Sequence, residues 1–348
     1  MKSDLPLNKP KATLKNIAEA SGVSVATVSF VLSGKGNISK VMSDKVKSIA
    51  AELGYVRPGK GRSGQMQKKT LAILTYINKE WAYAWNIITP IINAIEQNNT
   101  GRGYATVIIP VQDSSENSKI YQSIIDAGVC AVYSIHVANA TLFQSLEEAN
   151  IPVLVINSNE LNNTVCTVCS DDFEGAYEGT KFLISRGHEH ILYIDYFREG
   201  QNTVISDRFI GFKKAIQESF QREPVNHITT DLFDVEMLRS ELMIHLHKPV
   251  KPTAIFAHDD RLAEIIFYLI RNEGLNIPED ISIIAPGDVL DYSNPMTPQI
   301  TTMSIQTTVL GNISTEKMFN LMDKPAEDIH GLKVSQKLVD RGSVRDIG

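Results

Sequence analysis

Short apolar runs separated by amphipathic stretches constrain the fold of residues 70–348 more than any other feature of this sequence. Each run spans five to seven apolar or small residues, which favours strands buried on both faces of a parallel sheet. The stretches between them, such as 176–186 and 209–219, have helical periodicity, as βαβ units require. The pattern predicts an α/β body of two lobes, each a doubly wound parallel sheet. The predicted strands are 71–77, 105–110, 129–135, 152–156, 191–195, 253–257 and 281–285.

The N-terminal residues have a different pattern, that of three short helices. The first helix begins after Thr13 and ends at Gly22, where glycine permits a tight turn. The second begins at Ser24 and ends at Gly34, and a third follows before Gly54. Three short helices, the first two joined by a turn, predict a helix-turn-helix head.

Charge is divided unevenly along the chain, although the net charge is only −6. Residues 1–69 hold 13 Lys and Arg against 4 Asp and Glu, a balance of +9, whereas the remainder hold 21 against 36, a balance of −15. This asymmetry predicts a basic head that binds a polyanion and an acidic body that does not. A charged leader peptide that binds nothing is the alternative.

The basic segment PGKGRSGQMQKK lies between the head and the body and has no apolar periodicity, which predicts a linker. We therefore expect three regions: a basic helix-turn-helix head at 1–57, a hinge or linker at 58–69 and an α/β body at 70–348. Within the body, we expect a first lobe of 70–187 with 300–324 and a second lobe of 188–299 with 325–348.

Composition and motifs exclude several classes of protein. No run of 18 apolar residues is present, so we expect no membrane span. The polar, Lys-rich N-terminus lacks the apolar core of a secretory signal, which predicts a cytoplasmic location. Cys166 and Cys169 form a C-x-x-C pair, but inside an apolar strand-like run this pair is a poor metal or redox site. We expect no catalytic residues, no cofactor and no metal.

The stretch from Thr13 to Leu32, TLKNIAEASGVSVATVSFVL, carries the most specific signal. Its T-x-x-x-I-A-x-x-S-G-V-S-x-x-T-V-S-x-V-L pattern resembles the head of the lactose-repressor (LacI/GalR) family of bacterial transcription regulators. The body is similar to that family in five further segments, at 183–191, 207–212, 256–263, 277–282 and 298–302.

This resemblance implies a fold and a function. The fold would be a helix-turn-helix head joined to a two-lobed body like that of periplasmic binding proteins. The function would be that of a homodimeric repressor that binds double-stranded operator DNA, with a small-molecule effector between the lobes that controls operator affinity. Two other classes share parts of the pattern: a solute-binding protein with the same body, and an α/β enzyme with a DNA-binding appendage.

The outward face of the second helix has small residues that would fit a major groove about 12 Å wide. Phe30 lies where many family members carry a base-reading Arg, so apolar contact with thymine methyl groups is expected there. Hydroxyl groups and helix N-termini can meet phosphate oxygens. The predicted DNA-binding residues are Thr13, Ser24, Val25, Ala26, Thr27, Ser29, Phe30, Ser39, Lys45, Arg57 and Arg62.

The segment after the head departs from the family, which usually has a hinge helix there. Residues 58–66 contain three glycines, each of which disfavours a helix by about 1 kcal/mol relative to Ala. Two interpretations stay open: a hinge helix whose Met66 wedges into the minor groove, or a flexible basic tether in which Arg62 follows the DNA backbone.

Arg208, in the D-R-x-x-G-F segment, is the strongest candidate for contact with the effector. Its planar fork of donors can hold vicinal hydroxyls or a carboxylate. The alternative is a structural ion pair with Asp207 or another carboxylate. Asp259 replaces the usual Asn of the family pattern, and Asp288 follows a Gly where relatives carry an acidic residue; both are predicted to accept effector hydroxyls.

Both tryptophans of the chain, Trp81 and Trp85, follow the first strand of the body together with Tyr83. Ligands bind at the carboxyl ends of strands in open α/β sheets, and an aromatic ring there can cover a sugar ring. Packing or a dimer contact is the alternative role. The predicted effector is a sugar or a sugar derivative, bound by Trp81, Tyr83, Trp85, Arg208, Asp259 and Asp288.

Overall fold

A computed structural model describes most of the body and part of the head. The chain divides into two compact units, Met1–Gln67 and Lys68–Gly348, and each is considered by itself. The described residues are 14–25, 27–28, 31, 39–53, 70–77, 84–112, 116–158, 161, 164–196, 203–224, 226–231, 234–324 and 331–348.

The head is helical, as predicted. Helix α1 spans Leu14–Ser21 and helix α2 spans Lys40–Glu52, with further helical residues described between 25 and 31. Gly22 ends the first helix with a φ of +73°, a conformation that glycine adopts without strain. The three segments bury one small apolar core, which is formed by Ile17, Ala18, Val28, Val31, Val46 and Ala50.

The body contains two mainly parallel sheets, as the apolar runs predicted, and each sheet has six strands. The first sheet has the order β11-β5-β4-β3-β1-β2 and is parallel throughout. Its central strands are buried on both faces, which accounts for their continuous apolar sequence. Its strands are β1 Thr70–Tyr76, β2 Ala105–Val111, β3 Ala131–Ile135, β4 Val153–Ile156, β5 Cys166–Ser170 and β11 Gly331–Val334.

The second sheet has the order β12-β10-β9-β8-β6-β7 and is parallel except for β12, which pairs antiparallel with β10. The antiparallel strand lies at the edge, where one of its two sides is unpaired. The strands are β6 Ile191–Tyr196, β7 His227–Thr230, β8 Ala254–Ala257, β9 Ser282–Gly287, β10 Thr301–Ser304 and β12 Lys337–Val339.

Helices connect the parallel strands, and several of them begin just after the carboxyl end of a strand. An Asn or Asp precedes α5, α6, α8 and α9, and its side chain accepts a backbone N–H from the first turn of the helix. None of the described helices is both long and apolar enough to span a membrane. The body helices are α3 Trp85–Gly101, α4 Asn117–Asp126, α5 Ala140–Glu148, α6 Asp172–Ser185, α7 Thr203–Phe220, α8 Val235–Leu246, α9 Asp260–Asn272 and α10 Thr307–Asp323.

The chain crosses between the lobes three times within the described residues, after β5, after β10 and after β11. These crossings correct the predicted lobe limits. Helix α6 packs on the second sheet, β10 belongs to the second sheet and β11 belongs to the first. The apolar runs predicted strands but carried no information on which sheet a strand joins. Because each crossing leaves a strand at its carboxyl end, the carboxyl ends of β5, β10 and β11 lie at the junction of the lobes.

Helices α6 and α7 cross closely at Gly211, the glycine of the D-R-x-x-G-F segment. A Cβ atom at Gly211 would collide with the carbonyl oxygen of Phe173 and lie 3.1 Å from the amide nitrogen of Tyr177. The backbone of α6 cannot move aside as the end of a flexible side chain could.

We therefore expect Gly211→Ala to lower the free energy of unfolding by about 1–3 kcal/mol through overpacking, measured by urea unfolding followed by circular dichroism. Gly101→Ala is the matched control, because a Cβ at Gly101 would meet nothing within 4 Å. Equal stability of the two variants would contradict the close crossing.

Candidate functional site

The predicted ligand residue Arg208 contacts two groups, the carboxylate of Asp172 after β5 and the backbone carbonyl of His258 after β8. Arg208 lies within α7 and is buried. Its Nε and Nη2 atoms donate to Asp172 Oδ1 at 2.8 and 2.7 Å, and its Nη1 donates to the carbonyl oxygen of His258 at 2.7 Å. The carboxylate partner of Arg208 is therefore Asp172, at the start of α6. Asp207 instead lies 3.9 Å from Lys333.

Burial and charge oppose each other in this ion pair. Burial raises the pKa of Asp172 above its usual range, and the Arg208 charge only partly offsets that effect. Burial acts to lower the pKa of Arg208, but the Asp172 carboxylate outweighs it and holds that pKa raised. The charge of Arg208 is thus already balanced by Asp172. A structural ion pair of this kind was the alternative that the sequence left open.

Asp259 lies next to His258 in the chain and has two structural contacts. Its Oδ1 accepts the backbone N–H of Leu262 at 2.8 Å, which makes it the N-cap of α9. The same oxygen accepts the hydroxyl of Tyr196 at 3.0 Å. Asp259 is only partly buried. The strand ends therefore bring together Arg208, His258, Asp259 and Tyr196, two of which the sequence had predicted.

Asp288 has a different set of neighbours from the other predicted ligand residues. It follows β9 with a φ of +69°, and its Oδ1 pairs with Arg341 Nη2 and accepts the hydroxyl of Thr302 at 3.3 Å. The Arg341 guanidinium also stacks on Tyr292, 3.7 Å from the ring centroid. Asp288 is thus engaged in an internal ion pair, and its hydrogen-bond partners among the described residues are Arg341 and Thr302.

A buried carboxylate that the sequence reasoning missed lies at the first position of α9. Asp260 Oδ2 accepts the backbone N–H groups of Val289 and Leu290 at 2.7 and 3.2 Å, and the hydroxyl of Tyr292 at 3.3 Å. Its Oδ1 faces Gly287, where a Cβ would collide with it. Burial raises the pKa of Asp260 to about 6 in spite of these donors. Asp260 is the final residue of the family pattern F-x-x-N-D, but the sequence did not indicate that it holds the loop after β9.

The first sheet contributes a polar pair at its own carboxyl edge. His136 follows β3 and Asn157 follows β4, and both have left-handed backbone conformations, with φ of 60° and 57°. Asn157 Nδ2 lies 3.3 Å from His136 Nε2. Neither residue was predicted, because each is a single polar residue after an apolar run. Their shared edge and adjacent strands, β3 and β4, were the available signal.

The aromatic residues predicted to cover the effector are only partly described. Trp85 is the first residue of α3 and packs, half-buried, against the core of the first sheet. This placement agrees with the packing role that was left open. Trp81 and Tyr83 lie outside the described residues.

In the head, the described DNA-binding candidates are helix caps or exposed side chains. The backbone N–H of Thr27 donates to Ser24 Oγ at 3.1 Å, and that of Met42 donates to Ser39 Oγ at 3.4 Å. Val25 and Lys45 are exposed. Ser24 and Ser39 thus begin the second and third helices. The candidates Thr13, Ala26, Ser29, Phe30, Arg57 and Arg62, and the linker at 58–69, lie outside the described residues or have undescribed side chains.

The remaining candidate metal and redox residues are buried in structural positions. Cys166 and Cys169 lie on β5, and burial raises the pKa of the Cys169 thiol to about 12. His188 contacts Thr253 Oγ1 at 3.0 Å and the carbonyl oxygen of Arg345 at 3.1 Å. In the part of the chain that the structure describes, no three His, Cys, Asp or Glu side chains are grouped to hold a metal ion.

Each of the two units matches a known family of proteins. Residues 13–58 match the model for bacterial regulatory proteins of the lacI family, and residues 180–344 match that for the periplasmic binding protein-like domain. The chain therefore has a lacI-family helix-turn-helix domain and a periplasmic binding protein-like domain. The HTH-type transcriptional repressors PurR of Shigella sonnei and Pectobacterium atrosepticum are each 27% identical over 344 residues, covering 96% of this chain and 97% of the relative.

Solved structures share the fold of this chain. A transcriptional regulator CelR–cellobiose complex has a TM-score of 0.65 at 21% identity, covering 96% of this chain and 100% of that one. A lac repressor dimer bound to operator and the anti-inducer ONPF has a TM-score of 0.66 at 21% identity, covering 96% and 99%. The predicted family and fold class are confirmed, and the chain is a DNA-binding transcriptional regulator with a ligand-binding type of body.

The raised pKa of Asp260 predicts a measurable pH dependence. Because its folded pKa of about 6 exceeds the ordinary value of 3.8, the buried charge costs no stability below about pH 4. The cost grows between about pH 4 and pH 6, that is, between the unfolded and folded pKa values, and reaches about 3 kcal/mol at neutral pH. We expect Asp260→Asn, uncharged at every pH, to gain stability relative to the wild type by up to that amount between pH 4 and 7.5.

Urea unfolding at the two pH values measures this difference. Asp280→Asn, at an exposed carboxylate, is the control for the same change of side chain outside the core. A pH-independent difference for the Asp260 variant would show that its pKa is not raised.

Proposed function

We propose that this regulator is a homodimeric repressor whose affinity for operator DNA is controlled by a neutral, polyhydroxylated small molecule, a sugar or a sugar derivative. The effector is held between the lobes, at the carboxyl ends of the strands. Residues 1–57 bind the DNA, and residues 70–348 bind the effector and form the dimer.

The Arg208–Asp172 ion pair is the observation that carries the choice of a neutral effector. An arginine that binds an anionic ligand needs a positive charge that is not already balanced. The Arg208 charge is balanced by Asp172, and one of its remaining donors is used by the His258 carbonyl. A phosphate or carboxylate entering here would also meet the Asp259 carboxylate. Repulsion and incomplete pairing would then weaken its binding.

Hydroxyl groups suit the same residues. A sugar hydroxyl can donate to a carboxylate such as Asp259 and accept from a donor on the facing lobe, and both bonds gain strength in a partly dry cleft. The His136–Asn157 pair provides such polar groups on the first sheet, and Trp85 provides an aromatic ring at the start of α3. Asp288, engaged by Arg341, is assigned to holding the loop after β9 rather than to the effector.

Two solved relatives support this class of effector. The CelR structure is a complex with cellobiose. A LacI family transcriptional regulator from Enterococcus faecium, with bound ribose, has a TM-score of 0.66 at 20% identity, covering 80% of this chain and 100% of that one. Cellobiose and ribose are both neutral polyols.

Effector binding should depend on the Asp259 carboxylate. Asp259→Asn keeps an oxygen to cap α9 but removes the charge, and we expect it to weaken binding of the effector about tenfold, as for loss of a charge-assisted hydrogen bond. The effector is first found by thermal shift against neutral sugars, sugar acids and sugar phosphates. A ligand at 100 times its Kd adds about 2.7 kcal/mol of stability. Calorimetry then gives the Kd of each variant.

Asp234→Asn is the matched control, because Asp234 caps α8 through a 2.8 Å bond from Met237 N, just as Asp259 caps α9. It should leave the Kd unchanged. A strongest response to a sugar phosphate or sugar acid would overturn the neutral class, and equal affinity of the two variants would remove Asp259 from the site.

DNA binding should reside in the head and depend strongly on salt. The full chain is expected to bind random duplex DNA at low salt, and Lys45→Ala is expected to lower the slope of log affinity against log salt by about 1, since one phosphate contact is lost. Lys337→Ala, at an exposed lysine of β12, is the control. A fragment of residues 70–348 that bound DNA as tightly as the full chain would contradict the assignment.

Dimerisation supplies the second half of the DNA contact. One short recognition helix reads only a few base pairs, and a two-fold dimer places two such helices on a pseudo-palindromic operator. The lac repressor relative is a dimer bound to its operator, which supports the same arrangement here.

A further inference from the structure

Gln336 lies in the third crossing between the lobes, between β11 and β12. Its amide Nε2 donates to Ser170 Oγ at 3.0 Å and to Asp172 Oδ1 at 3.1 Å. Both acceptors belong to the first crossing, where β5 ends and α6 begins. A side chain of one crossing therefore holds the carboxylate that pairs with Arg208.

Asp172 Oδ1 is the meeting point of these interactions. It accepts Arg208 Nε and Nη2 from one side and Gln336 Nε2 from the other. The carboxylate is buried, so each donor that it loses would leave charge uncompensated in a dry environment. The position of the Arg208 guanidinium thus depends on every group that fixes Asp172.

The orientation of the Gln336 amide is determined by the carboxylate. A flipped amide would place its oxygen against Asp172 Oδ1, acceptor against acceptor. In the orientation present, Oε1 is buried and has no hydrogen-bond partner among the described residues. An unsatisfied buried acceptor is costly, and its cost is tolerated here because both donors of Nε2 are used.

The lack of a side chain at Gly175 leaves the space that the Gln336 amide occupies. A Cβ at Gly175, in the first turns of α6, would collide with the Gln336 amide group. The absence of that atom lets the amide lie directly on the helix that begins at Asp172. Because the amide is the end of a flexible side chain, a methyl group at Gly175 would displace it while leaving the backbone in place.

Two further hydrogen bonds between the crossings do not involve the Asp172 carboxylate. Gln306 Nε2 donates to the carbonyl oxygen of Ser335 at 2.6 Å, which ties the second crossing to the third. The backbone N–H of Asp171 donates to the carbonyl oxygen of Val334 at 2.9 Å, which ties the first to the third. Gln306 is therefore a tether between crossings that can be removed without touching the Arg208 pair.

From this geometry, and resting on the effector site proposed above, we propose that Gln336 is a positioning residue for effector binding. By holding Asp172, it fixes Arg208 at the strand ends and links the third crossing to the site. A change in the path of this crossing would then reach the effector through Asp172, and binding of the effector would in turn fix the crossing.

The direct test is the NMR signal of the Arg208 Nε–H group in the full chain labelled with ¹⁵N. The signal is assigned by its loss in Arg208→Lys, and its rate of exchange with water is measured. Gln336→Met removes the amide, and Gly175→Ala displaces it without removing a polar group. Both should raise the exchange rate by tenfold or more, because the acceptor of Nε–H is no longer held.

Gln306→Met and Gly101→Ala are the controls, the first removing only the tether and the second adding a methyl group in open space. Both should leave the Arg208 signal unchanged. A merely structural Gln336 would lower the unfolding midpoint and leave the Arg208 exchange rate as in the wild type. That result in both Gln336→Met and Gly175→Ala overturns the proposal, and the glycine variant decides if the other fails to fold.

A binding measurement tests the link to the effector site, with ribose and cellobiose as the probes. For the tighter of the two sugars, Gln336→Met and Gly175→Ala should raise the Kd on the order of tenfold, and the two controls less than twofold. Unchanged sugar affinity together with a loosened Arg208 overturns the link. If neither sugar binds the wild type, the proposed effector class fails for these sugars, and the exchange rate of Arg208 still decides whether Gln336 positions it.

Discussion

The buried ion pair between Arg208 and Asp172 is the interaction on which the cleft edge of the second lobe depends. Removing two charges from water costs several kcal/mol, which the pair recovers only if its remaining donors and acceptors are also satisfied. The His258 carbonyl and the Gln336 amide provide these partners. The pair therefore fixes the start of α6, the first turns of α7 and the end of β8 relative to one another, and loss of either partner would leave a buried charge.

Acidic residues that follow strands can cap a helix or bind the effector, and the sequence does not distinguish these two roles. Asp171, Asp234 and Asp259 each follow an apolar run or its loop, and each accepts a backbone N–H at the start of a helix. Capping satisfies donors that the helix cannot satisfy itself. It uses one oxygen and leaves the second able to meet a ligand, so capping and effector binding are compatible at Asp259. Asp288 caps no helix; its carboxylate pairs with the Arg341 guanidinium, so its charge is already balanced within the protein.

The apolar runs predicted two parallel sheets, and all seven predicted strands are present within about two residues of their limits. The strands β5, β7, β10, β11 and β12 were not among those predicted. The runs could not predict that β10 joins the second sheet and β11 the first, because sheet membership depends on contacts distant in sequence. In the site, the motif identified Arg208 but not its partner. His258 contributes through its backbone carbonyl, which side-chain patterns do not reveal, and Gln336 lies 164 residues from Asp172 along the chain.

Four of the described non-glycine residues with left-handed backbone conformations lie where strands end or where the chain crosses between the lobes. His136 and Asn157 follow β3 and β4, Asp288 follows β9, and Gln306 precedes α10, all with φ between 52° and 69°. A residue other than glycine in this region costs on the order of 1 kcal/mol, and the surrounding structure must enforce it. A left-handed residue turns the chain sharply away from the strand direction. Such turns place polar residues at the junction of the lobes, where a site between two lobes needs them.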